Sequence, residues 1–324
     1  MPADIHEQIT KYLTDAHSIE EQALAQLRTA PDIARDPEFA RMLREHLGET
    51  EGHERRVRAL LEARGASTSK AKDALMKAGG KGFVLFARSQ TDTTGKLAAH
   101  ALSYEALEWA SYDLLARTAD AAGETDVAEE ARAIREEERA MMERIEGVFD
   151  RTVSAALAEV VTDDLQGHLH RYLADAHAIE AQSIQLLESG KEMVDDAPEL
   201  AALMAEHLAE SREQQDALEE RLGARGEASS VLKDAAMRLG ALNWGMFFQA
   251  HPDTPGKLAA FAYAFEHLEI GGYEQLRRVA ERAGDQETVA VARRILAEER
   301  KAAERIRGVF GAALGASLAE QARA

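Results

Sequence analysis

The sequence predicts an all-α protein built from two tandem four-helix bundles, each with a long crossover between its second and third helices. Three observations carry that prediction. First, the 324-residue chain nearly repeats itself: the stretch beginning Tyr12-Leu-Thr-Asp-Ala-His-Ser-Ile-Glu20 returns as Tyr172-Leu-Ala-Asp-Ala-His-Ala-Ile-Glu180, and TTGKLAAHALSYEALE (93–108) returns as TPGKLAAFAYAFEHLE (254–269). Second, the composition is 45% hydrophobic but only 5% aromatic, with 6 prolines, which favours long helices over sheet. Third, apolar residues recur at spacings of three and four throughout both copies, the period of one helix face.

In the first copy, helix A is expected at about 4–29, ending before Pro31. Helix B follows at about 36–63 with Gly65 as its stop, and helix C at about 94–121 with Gly123 as its stop. Helix D runs from near 125 to about 160. The second copy repeats the plan at about 164–189, 197–222, 255–282 and 286–318, with Gly190, Gly223 and Gly284 as terminators. Between helices B and C lie residues 64–93 and 225–254, which carry a short helical piece (SKAKDALMKAGGKGF, repeated as SVLKDAAMRLGALNW). A connection that long lets helix C begin at the far end of the bundle from where helix B stopped. The domains are therefore 1–160 and 161–324. Nothing rich in Gly, Pro or Ser separates them, and Asp163 with Gln166 offers a capping box to the next helix, so the bundles are expected to pack as an internal pseudo-dimer. A higher oligomer stays open.

Charge and cysteine content narrow the function. A formal net charge of -19 disfavours nucleic acid and anionic membrane as partners, and attracts cations. The absence of cysteine excludes disulfides, iron–sulfur clusters and thiolate zinc sites. No apolar run approaches the roughly 20 residues of a membrane span, and no signal-peptide core is visible, so the expected location is the cytoplasm.

Acidic residues occupy core positions. Helix A aligns Leu13, His17, Glu20, Leu24 and Leu27 on one face, repeated as Leu173, His177, Glu180, Ile184 and Leu187. Helix B aligns Met42, His46, Glu49, His53 and Leu60, repeated as Leu203, His207, Glu210, Gln214 and Arg221. Helix C places Glu105 and Glu108 between Leu97 and Leu115, repeated as Glu266 and Glu269, and helix D places Glu138 or Glu299 between isoleucines. A buried ionised carboxylate is costly without a counter-charge, and basic residues are nearly absent from these stripes. Two divalent cations would supply the charge, and carboxylate oxygen with imidazole nitrogen suits hard or borderline metals. The histidines His17, His46, His177 and His207 stay open between metal ligand, donor to a carboxylate and core-edge residue. Tyr12, Tyr104 and Tyr112 read as packing residues. The run Arg135-Glu-Glu-Glu-Arg139 reads as a solvated face with Glu138 alone in register.

The motifs Asp15-x-x-x-x-Glu20-x-Gln22, His46-Leu-Gly-Glu49-Thr50, Glu105-x-x-Glu108 and Glu137-Glu138-Arg139 resemble the YciF-like branch of the ferritin-like superfamily, as do Glu266-His267-Leu268-Glu269 and Glu298-Glu299-Arg300-Lys301. The resemblance covers almost the whole chain as two domains. It implies ferritin-like bundles with a dinuclear iron or manganese centre in each, an association with bacterial stress responses, and no established reaction. Carried over by position, it implies Glu20, Glu49, Glu105, Glu108 and Glu138 as ligands of the first centre, with His53 as a nitrogen ligand. For the second centre it implies Glu180, Glu210, Glu266, Glu269 and Glu299, where Gln214 replaces His53. The Glu-x-x-His pair of true ferritins is missing, since Gly52 follows Glu49 and Met141 follows Glu138 at that spacing, which argues against iron storage. Oxygen or peroxide chemistry, a non-catalytic metal buffer, and a structural helical protein with decayed sites are the three functional readings.

Overall fold

The computed structural model describes residues 5–68, 92–158, 164–194, 197–226 and 254–323. Every regular element among them is an α-helix, and none is long and apolar enough to cross a membrane. The chain divides into two compact units, Ala3–Val161 and Thr162–Ala324.

In the first unit the helices are α1 (Ile5–Leu27), α2 (Ala30–Ile33), α3 (Pro37–Ala63), α4 (Thr93–Ala122), α5 (Thr125–Gly147) and α6 (Phe149–Ala158). The four long ones pack α1 on α3 and α4, and α5 on α3 and α4, so each contributes one face to a shared core. Asp36 starts α3 by accepting a hydrogen bond from the Phe39 amide, with Pro37 in the first turn. Gly65 and Gly123 end α3 and α4 in the left-handed conformation at φ 67° and 74°.

The second unit repeats this with α7 (Leu165–Met193), α8 (Pro198–Ala224), α9 (Thr254–Ala283), α10 (Gln286–Gly308) and α11 (Phe310–Arg323). Here α7 packs on α8 and α9, and α10 packs on α8 and α9.

Four expectations are corrected. Helix D is two helices in each unit, broken at Val148 and Val309, whose amides bond three residues back to Ile145 and Ile306. The break follows Gly147 or Gly308, and buries Phe149 or Phe310. Gly190 does not end its helix: it lies buried within α7, facing Met204 and Leu258 too closely for a larger side chain to fit without displacement. Gly223 also lies inside a helix, and Gly226 is the left-handed residue at φ 72°. The N-cap of α7 is Asp164, which accepts from the Gly167 amide, while Gln166 instead donates to the Ala283 carbonyl. Asp163 and the short helical pieces of the crossovers lie outside the described residues.

Candidate metal centre

Six side chains from all four long helices of the first unit meet in its core: Glu20 on α1, His46 and His53 on α3, Glu105 and Glu108 on α4, and Glu138 on α5. They form two overlapping groups. One holds His46, Glu105, Glu108 and Glu138, the other Glu20, His53 and Glu138, and within each group one ligand-type atom per residue lies within 4.8 Å of the rest. Helical spacing makes this possible. Glu105 and Glu108 are one turn apart, and His46 and His53 are two turns apart with ring centroids 6.4 Å from each other. All six are buried, with Glu20, His46, His53 and Glu138 wholly shielded from solvent.

A second layer holds these groups in place. His46 turns Nε2 inward, 2.9 Å from Glu105 and 3.7 Å from Glu138, and donates from Nδ1 to Glu49 at 2.8 Å. Glu49 is gripped in turn by Arg144 at 2.6 Å. His53 does the converse: Nε2 donates to Glu137 at 2.7 Å, Glu137 is paired with Arg56 at 3.0 Å, and Nδ1 faces Glu138 at 2.8 Å. Tyr112 donates its hydroxyl to Glu20 at 2.5 Å. Carboxylates behind imidazoles fix which ring nitrogen is offered to the centre, an arrangement common around bound metals.

The electrostatics show a core short of positive charge. Burial lifts Glu20 to about 8 against the opposing pull of His53, and lifts Glu105 to about 7 against His46. Glu108 rises well above the usual carboxylate range through burial and the charge of Glu138. Burial works against ionisation of Glu138 too, but the imidazole of His53 at 2.8 Å and the charge of His46 hold it below the ordinary value. Burial alone would lower His53, yet Glu138 and Glu20 raise it to about 9. Several inward atoms still have no hydrogen-bond partner: Glu20 Oε2, His46 Nε2, His53 Nδ1, Glu105 Oε2 and both oxygens of Glu108 and Glu138. Orphaned acceptors and donors on this scale are rare in a folded core. They point to one common place, and the donor set of carboxylates with two imidazoles suits divalent metal ions.

The second unit repeats the arrangement with one change. His207, Glu266, Glu269 and Glu299 form a buried group, with His207 Nε2 3.0 Å from Glu266 and 3.5 Å from Glu299. His207 donates to Glu210 at 3.2 Å, Glu210 is held by Arg305 at 2.5 Å, and Tyr273 donates to Glu180. Gln214 occupies the place of His53. With no second imidazole, Glu299 is not held ionised as Glu138 is: burial and the charges of Glu269 and Glu266 push it well above the ordinary range. Beside Glu266 lies a cavity of about 20 Å³ lined by Leu187, Met204, Leu258 and Phe265 among others, room for about one water molecule.

The structure thus gathers Glu20, Glu105, Glu108, Glu138 and His53, and Glu266, Glu269 and Glu299, as the sequence places them on core faces. It brings in His46 and His207 directly. It does not bring in Glu49 or Glu210, which are part-exposed and engaged by an arginine. His17 lies in a separate group with Glu21 and Glu54, its Nε2 3.0 Å from Glu54, and His177 is buried outside any such group among the described residues. His267 is buried but donates to its own helix at Tyr263. Sequence reasoning passed over Glu137, Glu298, Arg144, Arg305 and the phenol donors Tyr112 and Tyr273. The signal for each was its retention at the equivalent position of both copies.

These features define a helical-bundle protein whose two units each bury a His/Glu group that could hold a metal ion. The sequence profile of the family described as "Domain of unknown function (DUF892)" matches residues 4–158 and again 164–319, so the chain belongs to that ferritin-like family as a tandem duplicate. No solved structure matches the chain.

Proposed function

We propose that the chain is a metal-binding protein of the YciF-like kind, in which each domain (1–160 and 161–324) binds divalent iron or manganese in its core. The observation that carries this reading is the sharing of Glu138 by two His/Glu groups, which would put one carboxylate within reach of two cations. Charge supports it. Glu20, Glu105, Glu108 and Glu138 ionised are neutralised by two divalent cations once His46 and His53 are neutral ligands.

Two bridged redox-active metals would supply two-electron chemistry toward oxygen or peroxide. The protein's own part is positional. Glu137 and Glu49 keep the outer imidazole nitrogens protonated so that the inner lone pairs face the centre, and Tyr112 orients Glu20. The apolar helix faces keep bulk water out. A stress-related role in oxidant removal follows from that chemistry, and a metal buffer without turnover is the second reading.

Peroxide consumption separates the two. The iron- or manganese-loaded chain is expected to consume peroxide catalytically, and the chain carrying both Glu138→Ala and Glu299→Ala is not. Full metal content without any consumption would overturn the redox role and leave the buffer. The outer layer has its own test. Glu137→Gln and Glu49→Gln are each expected to weaken cation binding by about 10- to 100-fold while leaving the number of bound cations unchanged. Isothermal titration measures both quantities, and a changed stoichiometry would mean that these carboxylates are themselves ligands.

A further inference from the structure

Of the six side chains that build the centre of unit one, His53 is the one replaced by another residue type in unit two, where Gln214 stands, and the difference is chemically specific. His53 and Gln214 make the same outer bond: each donates a nitrogen hydrogen to the equivalent carboxylate, Glu137 or Glu298, at 2.7 Å and 3.1 Å. Glu298 is paired with Arg294 at 3.0 Å, so it acts as an acceptor and fixes which end of the amide faces it. The amide oxygen of Gln214 is then turned the other way, as His53 Nδ1 is. Gln214 is wholly buried, and its Oε1 has no hydrogen-bond partner. The orphaned inward atoms of the second unit match those of the first one for one: Glu180 Oε2 for Glu20 Oε2, Gln214 Oε1 for His53 Nδ1, and both oxygens of Glu299 for those of Glu138. A buried amide oxygen left unpaired costs stability unless something accepts its lone pair.

We propose that Glu180, Gln214 and Glu299 form a second cation subsite in the second unit, built from oxygen donors alone, so that the two units differ in the metals they prefer. This rests on the metal-binding reading above. In the first unit the equivalent subsite contributes an imidazole nitrogen, which favours borderline cations such as Zn²⁺ or Fe²⁺. Carboxylate and carbonyl oxygen favour hard cations such as Mn²⁺ or Mg²⁺. Charge counting agrees: Glu180, Glu266, Glu269 and Glu299 again need two divalent cations, and one bound at the His207 group leaves half of that charge unmatched.

The test uses the full chain carrying Glu138→Ala, so that cations counted belong to the second unit, with the unmutated chain alongside. Mn²⁺ and Zn²⁺ are titrated separately, with bound metal measured by elemental analysis and Mn²⁺ also by its electron paramagnetic resonance signal. Two Mn²⁺ are expected in the second unit, with spin coupling between them. Gln214→His is expected to raise the affinity of the second Zn²⁺ relative to the second Mn²⁺ by about tenfold or more. Gln214→Leu, of similar volume, is expected to lose one cation while its metal-free circular dichroism and unfolding midpoint hold. A single Mn²⁺ with Gln214 present, an unchanged count in Gln214→Leu, or an unchanged Zn²⁺-to-Mn²⁺ preference in Gln214→His would each overturn the proposal. Any of these results with cations still bound to the unmutated first unit leaves the metal-binding reading intact, whereas no cation in any form of the chain overturns both.

Discussion

A divalent cation added to the metal-free chain is expected to raise its thermal unfolding midpoint by about 10 °C, and by more at alkaline than at acid pH. The size follows from linkage. A ligand present at about a thousandfold its dissociation constant stabilises by about 4 kcal/mol, which for domains of about 150 residues corresponds to about 10 °C. The pH dependence follows from the buried groups. Glu20 and Glu180 are raised to about 8 and Glu105 to about 7, so the stability linked to their protons is fully present below the ordinary carboxylate range and is lost as pH rises through 7 to 8. His53 and His207 are raised to about 9, and their contribution is present below 6.5 and lost as pH rises through about 9. Glu49 runs the other way: lowered to about 2, its contribution is lost only in strong acid. The metal-free chain is therefore expected to be most stable near pH 5 and to weaken steadily toward pH 9. Cations compete with these same protons, so their affinity climbs over the same interval. Differential scanning calorimetry of loaded and metal-free chain across that range measures the gap. A gap that narrows with rising pH would contradict the account.

Glu138→Ala is the substitution expected to do the most damage to binding. Its two oxygens stand against His46 at 3.7 Å and His53 at 2.8 Å, and it belongs to both groups of the first unit. Removing it would take one candidate ligand from each of the two groups. The first unit is expected to lose both cations, an affinity loss beyond the ten- to hundredfold typical of outer-layer residues, of about 1000-fold or more. Glu299→Ala is expected to do the same to the second unit, and the double variant to bind no metal. Glu136→Ala is the control, since Glu136 sits on the same helix with its side chain toward Arg135 and Arg139 at the surface. Elemental analysis of dialysed protein reads all four variants. Retention of both first-unit cations by Glu138→Ala would show that Glu138 is a ligand of neither.

How far the sequence foretold this centre depends on which residue is asked about. Glu20, Glu105, Glu108 and Glu138 were legible because a carboxylate on an apolar stripe violates the helix period, and the second copy repeats the violation. The choice between His46 and Glu49 was not. They are three residues apart on the same helix, and periodicity treats them as neighbours on one face. What separates them is Arg144 on α5, which draws Glu49 outward and leaves the imidazole inside. That is a contact between helices distant in sequence, invisible to any local pattern. Glu137 was hidden differently, within a run of charges that looks solvated, although His53 reaches it. Tyr112 looked like core filler because a phenol's ring and hydroxyl serve different partners. In the fold, helix existence followed from pattern. The break at Val148 did not, because Phe149 and the residues after it keep an apolar helical period across it. Gly190 misled for a related reason: glycine also serves close packing, here against Met204 and Leu258.

The most direct test is the metal content of the purified chain after reconstitution with excess Mn²⁺ or Fe²⁺ and exhaustive dialysis. The two groups joined at Glu138 and the group around His207 would hold three cations per chain, and the oxygen-only subsite at Gln214 brings the expected number to four. Fewer than one cation per chain would contradict the central claim that these buried carboxylates and imidazoles are a metal centre.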